Sequence, residues 1–171
     1  DEAQGLIHTR DWETESLSPV LAGEGDDFER RQLAQLDTTE REIVGLESES
    51  DSHYDRQWPA DPDGAQSRFQ DVLEQVDDRD STGQSVLVHQ APLSGKVGAY
   101  PVHGYADFLH LAPTSEGIDA TICEVKSSAT QKVHHRYQAT VYEVLFESVL
   151  GESAVNADGV TAESAIVTPE N

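Results

Sequence analysis

Three strand-like segments lie close together in the second half of the chain, separated only by short turns. They span residues 85–93, 98–111 and 118–127, with turns predicted at 94–96 and 113–117. Turns this short join antiparallel neighbours, because a parallel connection needs a crossover of about a dozen residues or more. The sequence therefore predicts an antiparallel meander.

Helical patterns stand on both sides of this meander, with apolar residues spaced by three and four positions. Gly151 is the predicted end of the last helix. The predicted fold is α/β, or α+β-like, in which a central mixed sheet containing the meander is flanked by helices. The segments are helices at 26–36, 65–76 and 134–150, short strands at 42–46 and 165–168, and a loop at 47–64.

The chain has 171 residues, which suits one domain with at most a short accessory segment. Residues 1–24 are expected to form an N-terminal extension and residues 25–171 the domain itself. Because the sequence contains no methionine, not even an initiator, we expect it to belong to a longer protein, with truncation of the domain at its C-terminus an open possibility.

The acidic excess is large: 33 Asp and Glu against 11 Lys and Arg give a net charge of −22. We interpret it as adaptation to the high-salt cytoplasm of a halophile, where a Debye length of about 3 Å hides distant charges from a ligand. Net charge therefore does not exclude nucleic acid. The single Cys123 excludes an internal disulfide framework, and no apolar run is long enough to predict a membrane span.

The chemistry is concentrated in the second and third strands of the meander. If their turn centres on Ser115 and Glu116, paired residue numbers add up to 231, and Asp107 lies opposite Glu124. Opposed residues share a face, so two carboxylates meet there, with Lys126 two residues further along. Mg²⁺ takes one or two carboxylates plus water and phosphate oxygens, and an ammonium group can orient a bound water. Phosphodiester hydrolysis is the reaction that such a set favours.

A cross-strand salt-bridge network is the alternative interpretation of the same residues. Both strands are otherwise mostly apolar, and strands covered on both faces seldom carry charged side chains without a function. The alternative stays open on these residues alone. Nearby lies a stretch with a local positive excess, formed by Lys126, Lys132 and Arg136 with two histidines.

Three motifs occur here in order: residues 104–107 read G-x-x-D, 124–126 read E-x-K and 138–142 read Q-x-x-x-Y. Together they resemble the motifs of the PD-(D/E)XK nuclease superfamily, in its RecB-like branch. Residues 25–29 are similar to the first helical motif of that family, although Phe28 stands where the family often has histidine. The resemblance covers residues 26–168.

The resemblance implies a restriction-endonuclease-like core, Mg²⁺ or Mn²⁺ as cofactor and DNA as substrate. Lys126 would position the attacking water, and the Val125 carbonyl would join the carboxylates at the metal, with Glu29 acting directly or through water. The implied catalytic residues are Asp107, Glu124, Lys126, Gln138 and Tyr142; the metal ligands are Glu29, Asp107, Glu124 and Val125; the substrate-binding residues are Gln138, Tyr142, Lys132 and Arg136.

Three functions follow as hypotheses. The first is a metal-dependent DNA nuclease, exonuclease-like, in DNA repair, recombination or defence. The second is a nuclease-fold module of a larger helicase-linked protein that binds DNA or a partner without cutting, and absent metal binding would favour it. The third is an acidic interaction domain that matches the motifs by chance. Strand preference, polarity and oligomeric state are left open.

Overall fold

The computed structural model describes residues 28, 31–32, 41–45, 62–79, 82–126, 132–155 and 159–168. Predictions for residues 1–24, for Glu29 and for most of the first helix therefore lie outside the described residues, although Phe28, Arg31 and Gln32 are helical. In chain order the elements are β1 Arg41–Gly45, α1 Pro62–Asp77, β2 Ser85–Val97, β3 Tyr100–Pro113, β4 Ile118–Val125, α2 Val133–Glu152 and β5 Val160–Val167.

The described strands form one five-stranded mixed sheet in the order β1-β2-β3-β4-β5. Strands β2, β3 and β4 run antiparallel to one another, and β1 and β5 add parallel strands at the two edges. This confirms the predicted α/β class, the meander and the flanking helices. The register of β3 with β4 also agrees with prediction, because partners such as Phe108 and Cys123 have numbers that add up to 231.

The predicted turn at 94–96 is wrong, because these residues continue β2. The hairpin turns later, at Gly98 and Ala99, where Gly98 has a φ of 63° and Val97 pairs with Tyr100. A glycine at the first central position is typical of a two-residue hairpin turn. Gly95 has a packing role instead, since a Cβ there would lie 2.6 Å from the Cβ of Ser148 in α2.

Three other boundaries differ from prediction. Residues 62–64, assigned to a loop, begin α1, because proline is well suited to the first turn of a helix. Gly151 lies inside α2, which ends at Glu152 and is capped by Ser153, whose backbone N–H and hydroxyl both donate to the Leu150 carbonyl. The last strand begins at Val160, five residues before the predicted 165, where its pairing with Ile118 starts.

One hydrophobic cluster joins the sheet to both helices. Phe69, Leu73 and Val76 of α1 and Leu145 and Phe146 of α2 are inaccessible to solvent within it. Their spacings of three and four confirm the helical periods seen in the sequence. Among the described residues, no helix combines the length and apolar character needed to cross a membrane.

The side-chain alternation of β2 and β3 shifts by one residue at the same level of the sheet. In β2 the core residues are Val88 and then Ala91, and in β3 they are Ala106 and then Leu109, so each strand has a spacing of three where a regular strand has two. Gln90 lies at the shift with a φ of 55°, and the pairing of β2 with β3 resumes beyond it in unchanged register. Both strands therefore keep residues in the hydrophobic cluster before and after the irregularity.

Two glycines make a matched test of this architecture. Gly117 ends the β3–β4 turn with a φ of 144°, and a Cβ there would overlap the carbonyl oxygen of Gly159. We expect Gly117→Ala to lower the free energy of unfolding by about 3 kcal/mol or more, because strain and overlap add. Gly151→Ala meets no atom within 4 Å inside a helix, so it should raise that free energy by up to about 1 kcal/mol. Urea unfolding at fixed salt measures both, and equal midpoints for the two variants would contradict the packing.

Candidate active site

Glu124 is a buried carboxylate at the end of β4, with 2% of its surface exposed. It continues the series Ile118, Ala120 and Ile122, which points into the hydrophobic cluster. Its Oε1 accepts a hydrogen bond from Lys126 Nζ at 2.6 Å and another from Gln138 Nε2 in α2. The E-x-K and Q-x-x-x-Y motifs, separate in sequence, therefore meet at one oxygen atom.

The environment of Glu124 makes these two donors necessary. Moving a carboxylate out of water costs several kcal/mol, and a buried ion pair offsets this cost only with good geometry and further hydrogen bonds. The Lys126 side chain is itself only 21% exposed. A buried pair of this kind is weak evidence for a stabilising role, because apolar residues of similar volume often stabilise a core as well or better.

Asp107 reaches the same end of β4 through the plane of the sheet. The regular ladder of β3 with β4 extends to Phe108 and Cys123, and at the next position Asp107 Oδ2 accepts the backbone N–H of Val125 at 2.7 Å. The carboxylate thus takes the place of a backbone carbonyl. The register of β3 with β4 is as predicted up to Phe108 and Cys123, but the predicted pairing of Asp107 with Glu124 on one face is not part of the ladder, because the Asp107 side chain turns toward the Val125 N–H instead.

The backbone of Lys126 is held from the opposite side. Its N–H donates to the carbonyl oxygen of Val167 at 2.8 Å, which continues the parallel pairing of β4 with β5 by one residue. The Val125 N–H is therefore bound by the side chain of Asp107 in β3, and the Lys126 N–H by the main chain of Val167 in β5. The base of the lysine side chain is fixed by the sheet, and its tip by Glu124.

Gln138 and Tyr142 lie one turn apart in α2, and Gln138 Nε2 also donates to the Tyr142 hydroxyl at 3.2 Å. The Tyr142 ring lies against Gly104, where an added Cβ would come within 2.9 Å of Cε1 and 3.0 Å of the hydroxyl oxygen. In the sequence, Gly104 stands out only as the first residue of the G-x-x-D motif, and no role is predicted for it. A glycine inside a predicted strand often marks a close approach by another element, and this is the signal that could have predicted a packing role for Gly104.

The start of α2 carries the positive stretch. Lys132 and Arg136 are exposed there, and His135 is buried, with 5% of its surface exposed. His135 Nδ1 accepts the Lys132 N–H at 3.2 Å, and the His135 N–H donates to the Lys132 carbonyl at 3.1 Å. Histidine thus does what Glu or Gln does in a common capping box, so the sequence carries no recognisable capping-box signature at this helix start.

Charge is distributed unevenly around this helix start. From Lys126 to Tyr142 the sequence contains no Asp or Glu, although 33 acidic residues occur in the chain. The first turn of a helix normally favours acidic residues, yet α2 has none there. Burial first, and then the positive potential of His134, Lys126 and Lys132, lowers the pKa of His135 below its usual 6.5.

The carboxylates of Asp107 and Glu124 suit a hard divalent cation that takes few ligands from the protein. Among the described residues there is no group of three or more His, Cys, Asp or Glu side chains that could hold a metal. Asp107 and Glu124 supply two carboxylates, and Glu29, the third predicted acid, lies outside the described residues. Mg²⁺ is commonly held by one or two carboxylates, with water and phosphate oxygens completing its shell, so the residues fit this ion.

No protein-family model matches the chain, and no curated protein sequence matches it. Among solved structures, a crystal structure of the Legionella pneumophila effector protein RavZ, residues 20–502, is similar at 14% identity and a TM-score of 0.37, over 77% of this chain and 35% of that chain. A second RavZ crystal structure gives 10% identity and a TM-score of 0.35, over 75% and 34%. The chain spans about a third of these RavZ chains, and so distant a likeness carries no argument about function.

His135 predicts a pH dependence of stability. In the unfolded chain its pKa is near 6.5 and in the folded chain it is lower. Between those values the unfolded state binds more protons, so the free energy of unfolding falls as pH falls below about 6.5. His135→Gln keeps an acceptor for the Lys132 N–H and cannot be protonated, so its unfolding free energy should fall less.

Chemical unfolding between pH 7.5 and 5 measures the difference between wild type and His135→Gln. The comparison is needed because burial and Arg41 also lower the pKa of His110, which adds a slope of the same sign to both proteins. Identical pH profiles for the two proteins would show that His135 has no part in it.

Proposed function

We propose that this chain is a metal-dependent DNA nuclease of the PD-(D/E)XK superfamily, RecB-like, with a restriction-endonuclease-like core. It would hydrolyse phosphodiester bonds with Mg²⁺ or Mn²⁺, in an exonuclease-like manner, in DNA repair, recombination or defence. One observation carries the proposal. Lys126 and Gln138, from two motifs, both donate to the buried Glu124, while Asp107, from a third, is bonded to the residue between Glu124 and Lys126.

The arrangement is a poor salt-bridge network and a good hydrolytic site. An exposed network would place its charges at the surface, whereas Glu124 is buried. The two carboxylates converge on the end of one strand, and Lys126 bonds to Glu124 while Asp107 accepts a backbone N–H. Lys126 balances the charge of Glu124 alone, and a divalent cation bound by both carboxylates would balance that of Asp107 as well.

The proposed roles follow from the contacts. A divalent cation bound by Asp107 and Glu124 would polarise the phosphate and neutralise charge that develops on it. Lys126, fixed through Glu124 Oε1 and the Val167 carbonyl, would present its ammonium group to the attacking water and to the phosphate oxygens. The water oxygen would form the new bond to phosphorus as the bond to the leaving oxygen breaks, the water giving up a proton to solvent and the leaving oxygen taking one from solvent.

Gln138 and Tyr142 would act as positioning residues. Gln138 fixes the rotamer of Glu124 and is itself held by the Tyr142 hydroxyl, while Tyr142 lies against Gly104. Lys132 and Arg136, exposed at the start of α2, would contact DNA phosphates from a stretch of sequence without acidic residues. Other domains, such as a helicase, would extend the DNA contacts.

Metal binding is the first test. We expect Mn²⁺ to bind wild type and to lose at least about tenfold in affinity in Asp107→Asn and Glu124→Gln, because each removes one of two ligand charges. Asp119→Asn, an exposed aspartate on the same strand as Glu124, is the matched control and should bind as wild type does. Calorimetry in high salt measures all four proteins.

Cleavage completes this test. Wild type should cut labelled DNA only with metal, and linear, circular, single-stranded and double-stranded substrates will separate end-directed from internal cutting. Metal affinity unchanged by Asp107→Asn would refute the site. Metal and DNA binding without cleavage would favour the non-cutting nuclease-fold module.

Lys126 separates catalysis from binding. We expect Lys126→Met to lose about a hundredfold or more in single-turnover cleavage with DNA affinity nearly unchanged, because the ammonium group acts most strongly on charge in the transition state. The variant also leaves Glu124 buried without its ion-pair partner, so stability without metal should fall.

Lys96→Met, which replaces an exposed lysine in β2, is the control. Cleavage and binding need the same salt, because DNA affinity depends steeply on it. Wild-type cleavage by Lys126→Met would refute the catalytic role.

A further inference from the structure

We infer that Gln90 is a positioning residue for Asp107, and that it acts through its left-handed backbone. The inference deepens the proposed function and rests on it only for the metal ligand that is positioned. Gln90 belongs to none of the motifs, and it lies in β2, whereas Asp107 lies in β3. The two residues occupy the one level at which the pairing of β2 with β3 is interrupted, between His89–Phe108 and Ala91–Ala106.

The backbone of Gln90 is exceptional in this protein. Among the residues that the structure describes, it alone combines a side chain with a positive φ, of 55°. This region is costly for residues other than glycine, asparagine and aspartate, and such outliers persist only where their surroundings impose them. Here the two strands are in one register before and after the outlier, so pairing on both sides holds the backbone in place.

The geometry of Asp107 requires such an irregularity. A side chain in a regular strand stands perpendicular to the sheet and cannot replace a backbone acceptor of the neighbouring strand. Asp107 Oδ2 nevertheless accepts the Val125 N–H at 2.7 Å, a bond that lies between adjacent strands. Asp107 sits where the alternation of β3 changes from Ala106 to Leu109, which is the step at which a side chain can turn toward the neighbouring strand.

The same shift sets the position of Gly104. If β3 alternated regularly from Leu109 and Leu111, Gly104 would face away from α2, and Tyr105 would face it. With the shift, Gly104 lies beneath the Tyr142 ring while Leu109 and Leu111 stay in the core. One left-handed residue thus orients both the carboxylate and the glycine of the G-x-x-D motif.

The test is a series of substitutions at Gln90 that differ in their tolerance of positive φ. Glycine and asparagine tolerate it, whereas valine, branched at Cβ, does not. Ser94→Val, in the regular part of β2, is the control for adding a branched residue to the strand. Two measurements apply to the full chain: hydrogen exchange of the Val125 amide by NMR, and Mn²⁺ affinity by calorimetry.

We expect Gln90→Gly and Gln90→Asn to keep Val125 protection and Mn²⁺ affinity within about threefold of wild type. Gln90→Val should lose at least about tenfold in both, as Asp107→Ala should, while Ser94→Val should not. If Gln90→Val fails to fold, Gln90→Ala takes its place, with a smaller loss of the same kind.

Two results would overturn the inference. Wild-type Val125 protection in Gln90→Val and in Gln90→Ala would show that the backbone of residue 90 does not position Asp107. Equal losses in Gln90→Gly and Gln90→Val would assign the effect to the glutamine side chain instead. If wild type binds no Mn²⁺, the proposed function fails, but Val125 exchange still decides whether Gln90 orients Asp107.

Discussion

The burial of one carboxylate organises this molecule. Glu124 continues an apolar strand into the hydrophobic cluster, and its charge is tolerated because Lys126 and Gln138 donate to the same oxygen. Those two donors come from different elements, so satisfying Glu124 fixes the end of β4 against the first turns of α2. The helix then carries Tyr142 onto Gly104, which only a residue without a side chain allows at this distance. The helix position and the tip of the lysine side chain are thus tied to one desolvated charge, and the glycine at position 104 is tied to the helix position.

Much of this fold could be predicted because short-range rules decide it. The turn between β3 and β4 and their alternation as far as Phe108 determine the register, which brings Asp107 and Glu124 to the same end of the strand pair, although the bond from Val125 to Asp107 departs from that alternation. The spacing of Gln138 and Tyr142 likewise puts both on one side of α2. The turn predicted at 94–96 is wrong because Gly95 is required for another reason. Its lack of a side chain allows the close approach of Ser148.

Other parts of the site could not be predicted, for physical reasons. Glutamine seldom adopts a positive φ, so nothing in the sequence marks Gln90 as the place where the alternation shifts. His135 caps a helix where Glu or Gln is usual, and its acceptor role depends on a burial that exists only in the folded chain. In both cases the long-range environment imposes a local choice that the propensity of the residue opposes.

The bond from Lys126 to Val167 has a consequence for the order in which the protein is assembled. The lysine follows β4 directly, but its backbone is completed by β5, which the chain reaches only after the whole of α2 has crossed over the sheet. Contacts over such separations form late, because the intervening loop must close first. A chain emerging from the ribosome would therefore hold its meander well before Lys126 is anchored. The reactive constellation would be completed by one of the last folding steps, so a partly made protein carries the residues without their arrangement.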